Sequence, residues 1–189
     1  MTGPIPTALR AVREQRPDAG IACFQEWHGI THLYEHDALD ICQDTRSPEE
    51  TMEAAIAHFI DYRPDIMFMQ LDHLDEAGHA SGYDTPAYLE AVERLDLVIN
   101  QLIRLLDKTR LFASTHVLVI SDHGGTGQRH GGDSDAEVYV PWILAGPKAK
   151  RGFEIPGGVS IADTAPTALH ALGLTLPTAW PGRCATAPI

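Results

Sequence analysis

Apolar residues along the chain form two kinds of pattern, short continuous runs and one longer stretch with helical spacing. The continuous runs at residues 21–24, 66–71 and Val117–Ile120 are bounded by turn residues and predict buried strands. Between the last two runs, Pro86–Lys108 carries an apolar stripe with the spacing of an amphipathic helix, and Thr85 precedes it as a capping residue. This alternation of strand and helix predicts an α/β fold.

Capping residues predict further helices. Ser47, with Glu50 three residues later, has the pattern of a capping box, and the helix that it begins is expected to run to about Tyr62. One additional strand contains Pro141, which favours an edge or a bulge because proline cannot donate a ladder hydrogen bond. The remaining predicted elements are that strand over residues 138–144 and helices over residues 6–15 and 161–172.

The long predicted helix links the strands at residues 66–71 and Val117–Ile120 in a βαβ crossover. Such connections are right-handed and join parallel strands, so we expect these two strands to be parallel, and adjacent or nearly so, in one sheet. With 189 residues, the chain is long enough for one domain with a sizeable core, and we expect a single domain over residues 1–189.

Composition and charge narrow the classes of function. The hydrophobic fraction of 44% and charged fraction of 21% are ordinary for a globular protein, and no apolar run approaches the length of a membrane span. A net charge of −12 without a cluster of Lys and Arg argues against nucleic-acid binding. An acidic protein can still process phosphate esters if bound cations supply a local positive field.

The three cysteines, Cys23, Cys42 and Cys184, are widely spaced and form no C-x-x-C pattern. This spacing predicts neither a disulfide framework nor a thiolate zinc site. Small buried hydrophobic residues are therefore their expected role. The sequence assigns no cellular compartment.

Candidate metal ligands follow the second and third predicted strands. Asp75 and His79 come after one strand, Asp122 and His123 follow the other directly, and His130 lies seven residues further on. Loops at the carboxyl ends of parallel strands meet at one edge of a sheet, so the two groups can converge. Carboxylate oxygen and imidazole nitrogen together suit zinc or a similar divalent ion.

Chance is the alternative explanation, since ten histidines in such a chain will place some Asp and His four residues apart, and an Asp after a strand is often a helix cap. Glycines beside the candidates favour the metal site, because Gly78, Gly124 and Gly131 allow tight turns next to an ion.

His28, His32 and His36 are also spaced by four, but Gly29 and β-branched neighbours weaken a helix there. Structural or exposed positions are expected for His73, Asp133, Asp135 and His170.

Several motifs, taken in order, resemble the alkaline-phosphatase superfamily, and within it the nucleotide pyrophosphatase/phosphodiesterase branch. They are DEAGHASG at 75–82, SDHGGTGQRHGG at 121–132, VPWILAGP at 140–147, DTAPTALHALGL at 163–174 and PGR at 181–183. The resemblance implies a mostly parallel sheet with helices on both faces and a small phosphate ester as substrate.

The resemblance also implies two zinc ions, with manganese or magnesium as alternatives. One ion would be bound by Asp75, His79 and His130. The other would be bound by Asp122 and His123.

Two parts of the family pattern have no counterpart in the sequence: a first strand ending in a metal-binding Asp, and a Thr or Ser nucleophile at a helix N-terminus. None of Thr2, Thr7 or Thr31 lies in a matching context, so the nucleophile is not identified in the chain. We therefore expect a sheet that lacks its N-terminal strand and leaves an apolar edge uncovered. Such an edge favours self-association, or completion of the sheet by an upstream segment.

These features predict zinc-dependent hydrolysis of phosphate mono- or diesters, of the phosphodiesterase, nucleotide pyrophosphatase or alkaline-phosphatase type, incomplete in this chain. A sulfatase-like or phosphoglycerate-mutase-like enzyme is an alternative of the same fold. A non-catalytic metal-binding or interaction module derived from the family is an alternative of a different class.

Overall fold

The computed structural model describes residues 5–185, which fold into two sheets with helices around them. The strands are β1 (Ile21–Gln25), β2 (Ile41–Asp44), β3 (Ile66–Gln70), β4 (Val117–Ile120) and β5 (Trp142–Ala145). The α-helices are α1 (Ala8–Gln15), α2 (Pro48–Tyr62), α3 (His73–Ser81), α4 (Pro86–Lys108), α5 (Asp135–Val138) and α6 (Thr164–Ala171). Short 3₁₀ helices lie at His28–Leu33, His36–Ala38, Leu111–Ala113 and Ile161–Asp163.

Local capping explains where the two longest helices begin. The Ser47 hydroxyl accepts a hydrogen bond from the Glu50 N–H at 3.2 Å, and Thr85 does the same for the Tyr88 N–H at 3.3 Å. A proline follows each cap, where its missing N–H costs nothing. The Glu50 carboxylate accepts from the Arg46 N–H, so only the serine half of the predicted capping box forms.

The larger sheet is parallel and has the strand order β2-β1-β3. Its central strand, β1, is completely buried, whereas β3 is only half-buried with Phe68 exposed. A second sheet consists of β4 and β5, paired antiparallel with Val117 opposite Ala145. The α/β class with a parallel sheet is therefore confirmed.

The predicted pairing of β3 with β4 in one sheet is wrong. Among the described strands β3 pairs only with β1, and β4 pairs only with β5. The reason is that a crossover helix sets the direction of the next strand but does not determine which strand it pairs with. Both strands nevertheless pack on the same helices, because Met67, Met69 and Val117 contact one apolar cluster of α2 and α4.

Helices cover both faces of the parallel sheet. On one face, Ile21 and Ile66 pack against α1 and α6 through Leu9, Val12 and Leu169. On the other face lies the α2 and α4 cluster, because neighbouring residues of a strand point to opposite sides. No helix of the described residues 5–185 is long and apolar enough to cross a membrane.

Several local expectations need correction. Residues 138–141 are not strand: Val138 ends the short helix α5, and β5 begins only at Trp142. Pro141 directly precedes β5 and has no N–H to donate to a strand ladder. The expectation of buried cysteines holds for Cys23, whereas Cys42 is exposed and Cys184 is intermediate.

The unpaired edges of β3 and β4 are expected to drive self-association. Within residues 5–185 neither strand has a second strand partner, so one edge of each lacks ladder hydrogen bonds, and Phe68 on β3 is 37% exposed. Light scattering should therefore show oligomers, and Phe68→Lys should shift the chain toward monomer because a charged edge strand resists pairing. Leu97→Lys is the matched control, since Leu97 is 67% exposed and lies on helix α4 rather than on a strand. A monodisperse monomer, or equal effects of both variants, would contradict association through the edges.

Candidate metal centre

Helix α3 brings Asp75 and His79 together. Residues four apart lie on the same face of a helix, and here the His79 Nε2 atom is 3.3 Å from Asp75 Oδ2. The sequence predicts a loop for both residues, but α3 begins at His73, separated by only two residues from the end of β3 at Gln70. The helix therefore fixes the spacing of the pair more rigidly than a loop would.

The segment after β4 carries Asp122 and His123 to the same place. His123 Nε2 lies 3.9 Å from Asp75 Oδ1 and 3.7 Å from Asp122 Oδ2. The turn requires glycine at position 124, because a Cβ there would lie 2.1 Å from the Ala136 carbonyl oxygen. The two groups of the sequence thus converge, although their strands belong to different sheets.

His130 completes the cluster from the far end of the same segment. Its Nε2 is 3.5 Å from Asp75 Oδ1, and its ring stacks on that of His123 with centroids 3.8 Å apart. One ligand atom each from Asp75, His79 and His130 lies within 4.8 Å of the other two. Within residues 5–185 no other such group of three or more His, Cys, Asp or Glu side chains is found.

Backbone carbonyls orient two of the imidazole rings. His79 Nδ1 lies 2.9 Å from the Gln128 carbonyl oxygen, and His123 Nδ1 lies 2.9 Å from the Gly124 carbonyl oxygen. A carbonyl oxygen can only accept a hydrogen bond, so each Nδ1 is the donor, and in the neutral imidazole this leaves the Nε2 lone pair for a metal ion. Gln128 is itself held by its Nε2 donating to the Ala80 carbonyl at 3.0 Å.

Glu137 supports the segment that carries His130, and sequence reasoning missed it. Its carboxylate accepts from the Gly132 N–H at 2.7 Å and from the Ser134 hydroxyl. These hydrogen bonds lower the pKa of Glu137, the largest cause being the Ser134 hydroxyl. The Ser-x-x-Glu pattern of a capping box at 134–137 was the available signal. Asp133 and Asp135, expected to shape this segment, are exposed.

The other histidines lie outside the cluster. His73 faces Arg94, with Nε2 and a guanidinium nitrogen 3.3 Å apart. His28 pairs with Asp44 at 2.7 Å on a 3₁₀ helix, and its ring centroid is 6.4 Å from that of His32. His170 is exposed on α6.

The threonines considered as nucleophiles have structural roles where they are described. Thr7 caps α1 by accepting from the Arg10 N–H and donates to Glu35. Thr31 is buried and donates to the His28 carbonyl at 2.8 Å. Thr2 lies outside the described residues.

A polar cleft of about 270 Å³ opens at the carboxyl ends of β1 and β3, lined by residues that include Glu26, Asp72 and Arg94. Burial raises the pKa of Glu26 to about 7, although its carboxylate accepts from the Asp72 N–H at 3.1 Å. Burial also raises the pKa of Asp72. The cleft therefore places carboxyl groups that resist ionisation beside the helix that carries Asp75.

Comparison with known proteins assigns the family. Residues 14–135, more than half of the chain, match the family of type I phosphodiesterases and nucleotide pyrophosphatases. The chain therefore belongs to this family, which lies within the alkaline-phosphatase superfamily. The family is metal-dependent, and the family and its neighbours are enzymes of hydrolysis or phosphotransfer.

Two curated relatives belong to other branches of the superfamily. The 2,3-bisphosphoglycerate-independent phosphoglycerate mutase of Pseudomonas fluorescens is 31% identical over 148 residues, which are 73% of this chain and 26% of the mutase. Arylsulfatase K of Mus musculus is 32% identical over 95 residues, which are 48% of this chain and 17% of the sulfatase. The chain thus spans about a quarter or less of the length of these relatives.

Solved structures show the same fold. A 2-O GAG sulfatase aligns with a TM-score of 0.63 at 13% identity, over 97% of this chain and 56% of that protein. Murine ectonucleotide pyrophosphatase/phosphodiesterase 5, solved as an inactive threonine-to-alanine variant in complex with AMP, aligns with a TM-score of 0.50 at 24% identity. That alignment covers 61% of this chain and 32% of the murine protein.

Proposed function

We propose that this protein takes part in the zinc-dependent hydrolysis of phosphate mono- or diesters. The reaction would be of the phosphodiesterase, nucleotide pyrophosphatase or alkaline-phosphatase type. The observation that carries the proposal is the cluster of Asp75, His79 and His130, whose ligand atoms lie within 4.8 Å of one another. Membership of the phosphodiesterase family supports the same conclusion. The substrate would be a small phosphate ester.

The donor set fits a zinc ion. One carboxylate and two imidazoles provide three protein ligands, the number found in catalytic zinc sites that keep a position open for substrate. Asp122 and His123 would hold a second ion, and the Asp122 side chain is 84% exposed, with its carboxylate accepting from the His123 N–H at 3.1 Å. Manganese or magnesium are alternatives to zinc. Bound ions at such a site supply Lewis-acid stabilisation of charge on the phosphoryl group.

The chain's own residues would bind and orient the phosphoryl group rather than attack it. Thr7 and Thr31 are engaged elsewhere, and no other residue is assigned as nucleophile. We therefore propose that the catalytic site is completed by a further polypeptide segment, which could also pair with the unpaired edges of β3 and β4. Self-association through the same edges is the competing arrangement.

Other functions remain as specific alternatives. The sulfatase fold match and the mutase relative favour a sulfatase-like or mutase-like enzyme. The lack of an assigned nucleophile favours a non-catalytic metal-binding module. The family match over residues 14–135 and the GGTGQRHGG segment at 124–132 support the phosphodiesterase type instead.

Ligand binding tests the phosphate assignment without requiring turnover. We expect AMP to bind the zinc-loaded chain at least about tenfold more tightly than adenosine or nitrophenyl sulfate, a difference of about 1.4 kcal/mol. The reason is that the phosphate charge is recognised at the metal cluster, so chelation should remove the preference. Calorimetric titration measures the three affinities with and without zinc.

Asp122→Ala should weaken AMP binding, while Asp133→Ala, an exposed acidic residue of the same segment, should leave it unchanged. A preference for the sulfate ester would favour the sulfatase-like alternative. Equal binding of adenosine and AMP would refute recognition of phosphate at this cluster.

A further inference from the structure

Tyr83 is a buried residue that touches the cluster without being a candidate ligand. It follows α3 after a glycine and is 8% exposed. Its hydroxyl donates a hydrogen bond to Asp75 Oδ1. The hydroxyl therefore contacts the same carboxylate that lies near His79, His123 and His130.

The Tyr83 ring lies directly against two glycine backbones. A Cβ at Gly78 of α3 would lie 2.4 Å from the ring, and a Cβ at Gly125, in the segment after β4, would lie 2.4 Å from it as well. The Tyr83 N–H also donates to the Gly127 carbonyl at 2.8 Å. The residue thus joins helix α3 to the segment that carries His123 and His130.

The Asp75 carboxylate has little freedom to turn without disturbing the cluster. Its Oδ1 faces His123 at 3.9 Å and His130 at 3.5 Å, while its Oδ2 faces His79 at 3.3 Å. Rotation of the carboxyl group would change all three separations together. The hydrogen bond from the Tyr83 hydroxyl to Oδ1 resists that rotation, because the Tyr83 ring is packed between the backbones of Gly78 and Gly125.

We propose that Tyr83 is a positioning residue of the metal centre, acting through Asp75. Its hydroxyl sets the plane of the Asp75 carboxylate, and its ring sets the distance between the two ligand-bearing segments. This inference rests on the proposed metal-binding function. Hydrogen-bond partners of metal ligands typically contribute 10- to 100-fold to metal affinity.

Tyr83→Phe tests the role of the hydroxyl, since it keeps the ring between Gly78 and Gly125. We expect the zinc affinity, measured by competition with a chromogenic chelator, to fall about 10- to 100-fold. The melting temperature of the metal-free protein should change little because the packing is retained. Tyr88→Phe is the matched control: its ring lies 5.4 Å from that of Tyr83, and within the described residues Tyr88 makes no hydrogen bond to Asp75.

Cobalt(II) provides a second measurement, because its visible absorption reports the geometry of the ligands. Tyr83→Phe should shift that absorption, whereas Tyr88→Phe should not. Unchanged zinc affinity and an unchanged cobalt spectrum in Tyr83→Phe would overturn the positioning role if His79→Ala still loses zinc. If His79→Ala also keeps its zinc, the metal site itself is wrongly assigned, and the inference falls with it.

Discussion

Replacing either His79 or His130 by alanine is expected to abolish tight zinc binding. Both residues contribute an imidazole to the group of three ligand atoms that lie within 4.8 Å of one another. A site reduced to two protein ligands falls below the three that hold zinc in catalytic sites, so its zinc affinity should drop sharply. Metal analysis after dialysis should find about one tightly bound zinc in the parent chain, with a second bound weakly, and none bound tightly in either variant.

The melting temperature tests the same zinc site independently. Zinc should raise the melting temperature of the parent chain, because a ligand that binds only the folded state stabilises it by mass action. The increase should be absent in His79→Ala and His130→Ala. His170→Ala is the control, since this exposed histidine of α6 lies outside the cluster. If both ligand variants kept one tight zinc, the assignment of these residues would be wrong.

The parts of the fold that depend on local sequence were predicted well. Ser47 and Thr85 mark the starts of α2 and α4 in the sequence, because a capping side chain acts within one helical turn. The strands at β3 and β4 follow from continuous apolar runs. Each of these features is encoded in a few neighbouring residues, so the sequence pattern is sufficient.

Pairing between distant segments was not predictable in the same way. The partner of β4 is β5, with Val117 opposite Ala145, and no local pattern encodes such a pairing between segments more than twenty residues apart. The strand β2 was missed because ICQD is short and carries polar residues. A half-buried strand of this kind differs little from a loop in sequence.

The candidate site shows the same limit at the level of single residues. The sequence predicts a tight turn at Gly78 and a loop for Asp75, but Gly78 lies inside α3, although glycine disfavours a helix by about 1 kcal/mol relative to alanine. The structure explains the glycine, because the Tyr83 ring occupies the space of its Cβ. The spacing of Asp and His residues was enough to recognise the candidate ligands. The packing of Tyr83 against Gly78 is a contact that only the structure shows.

The 189-residue chain supplied with zinc is expected to show negligible turnover of phosphodiesters. Thr7 and Thr31 are committed to hydrogen bonds within the fold, and the weaker ion would be held only by Asp122 and His123. Loss of a catalytic nucleophile lowers turnover by several orders of magnitude. Adding a segment that supplies a Thr or Ser nucleophile and a further Asp should therefore raise turnover by about that factor.

Hydrolysis of bis-nitrophenyl phosphate, with and without the added segment, measures this difference. The control is the same segment with its nucleophile replaced by alanine, which should pair with the sheet without restoring turnover. That control separates a chemical contribution from stabilisation of the unpaired edges of β3 and β4. Robust turnover by the chain alone, lost in Asp122→Ala, would show instead that its own residues already form a complete catalytic site.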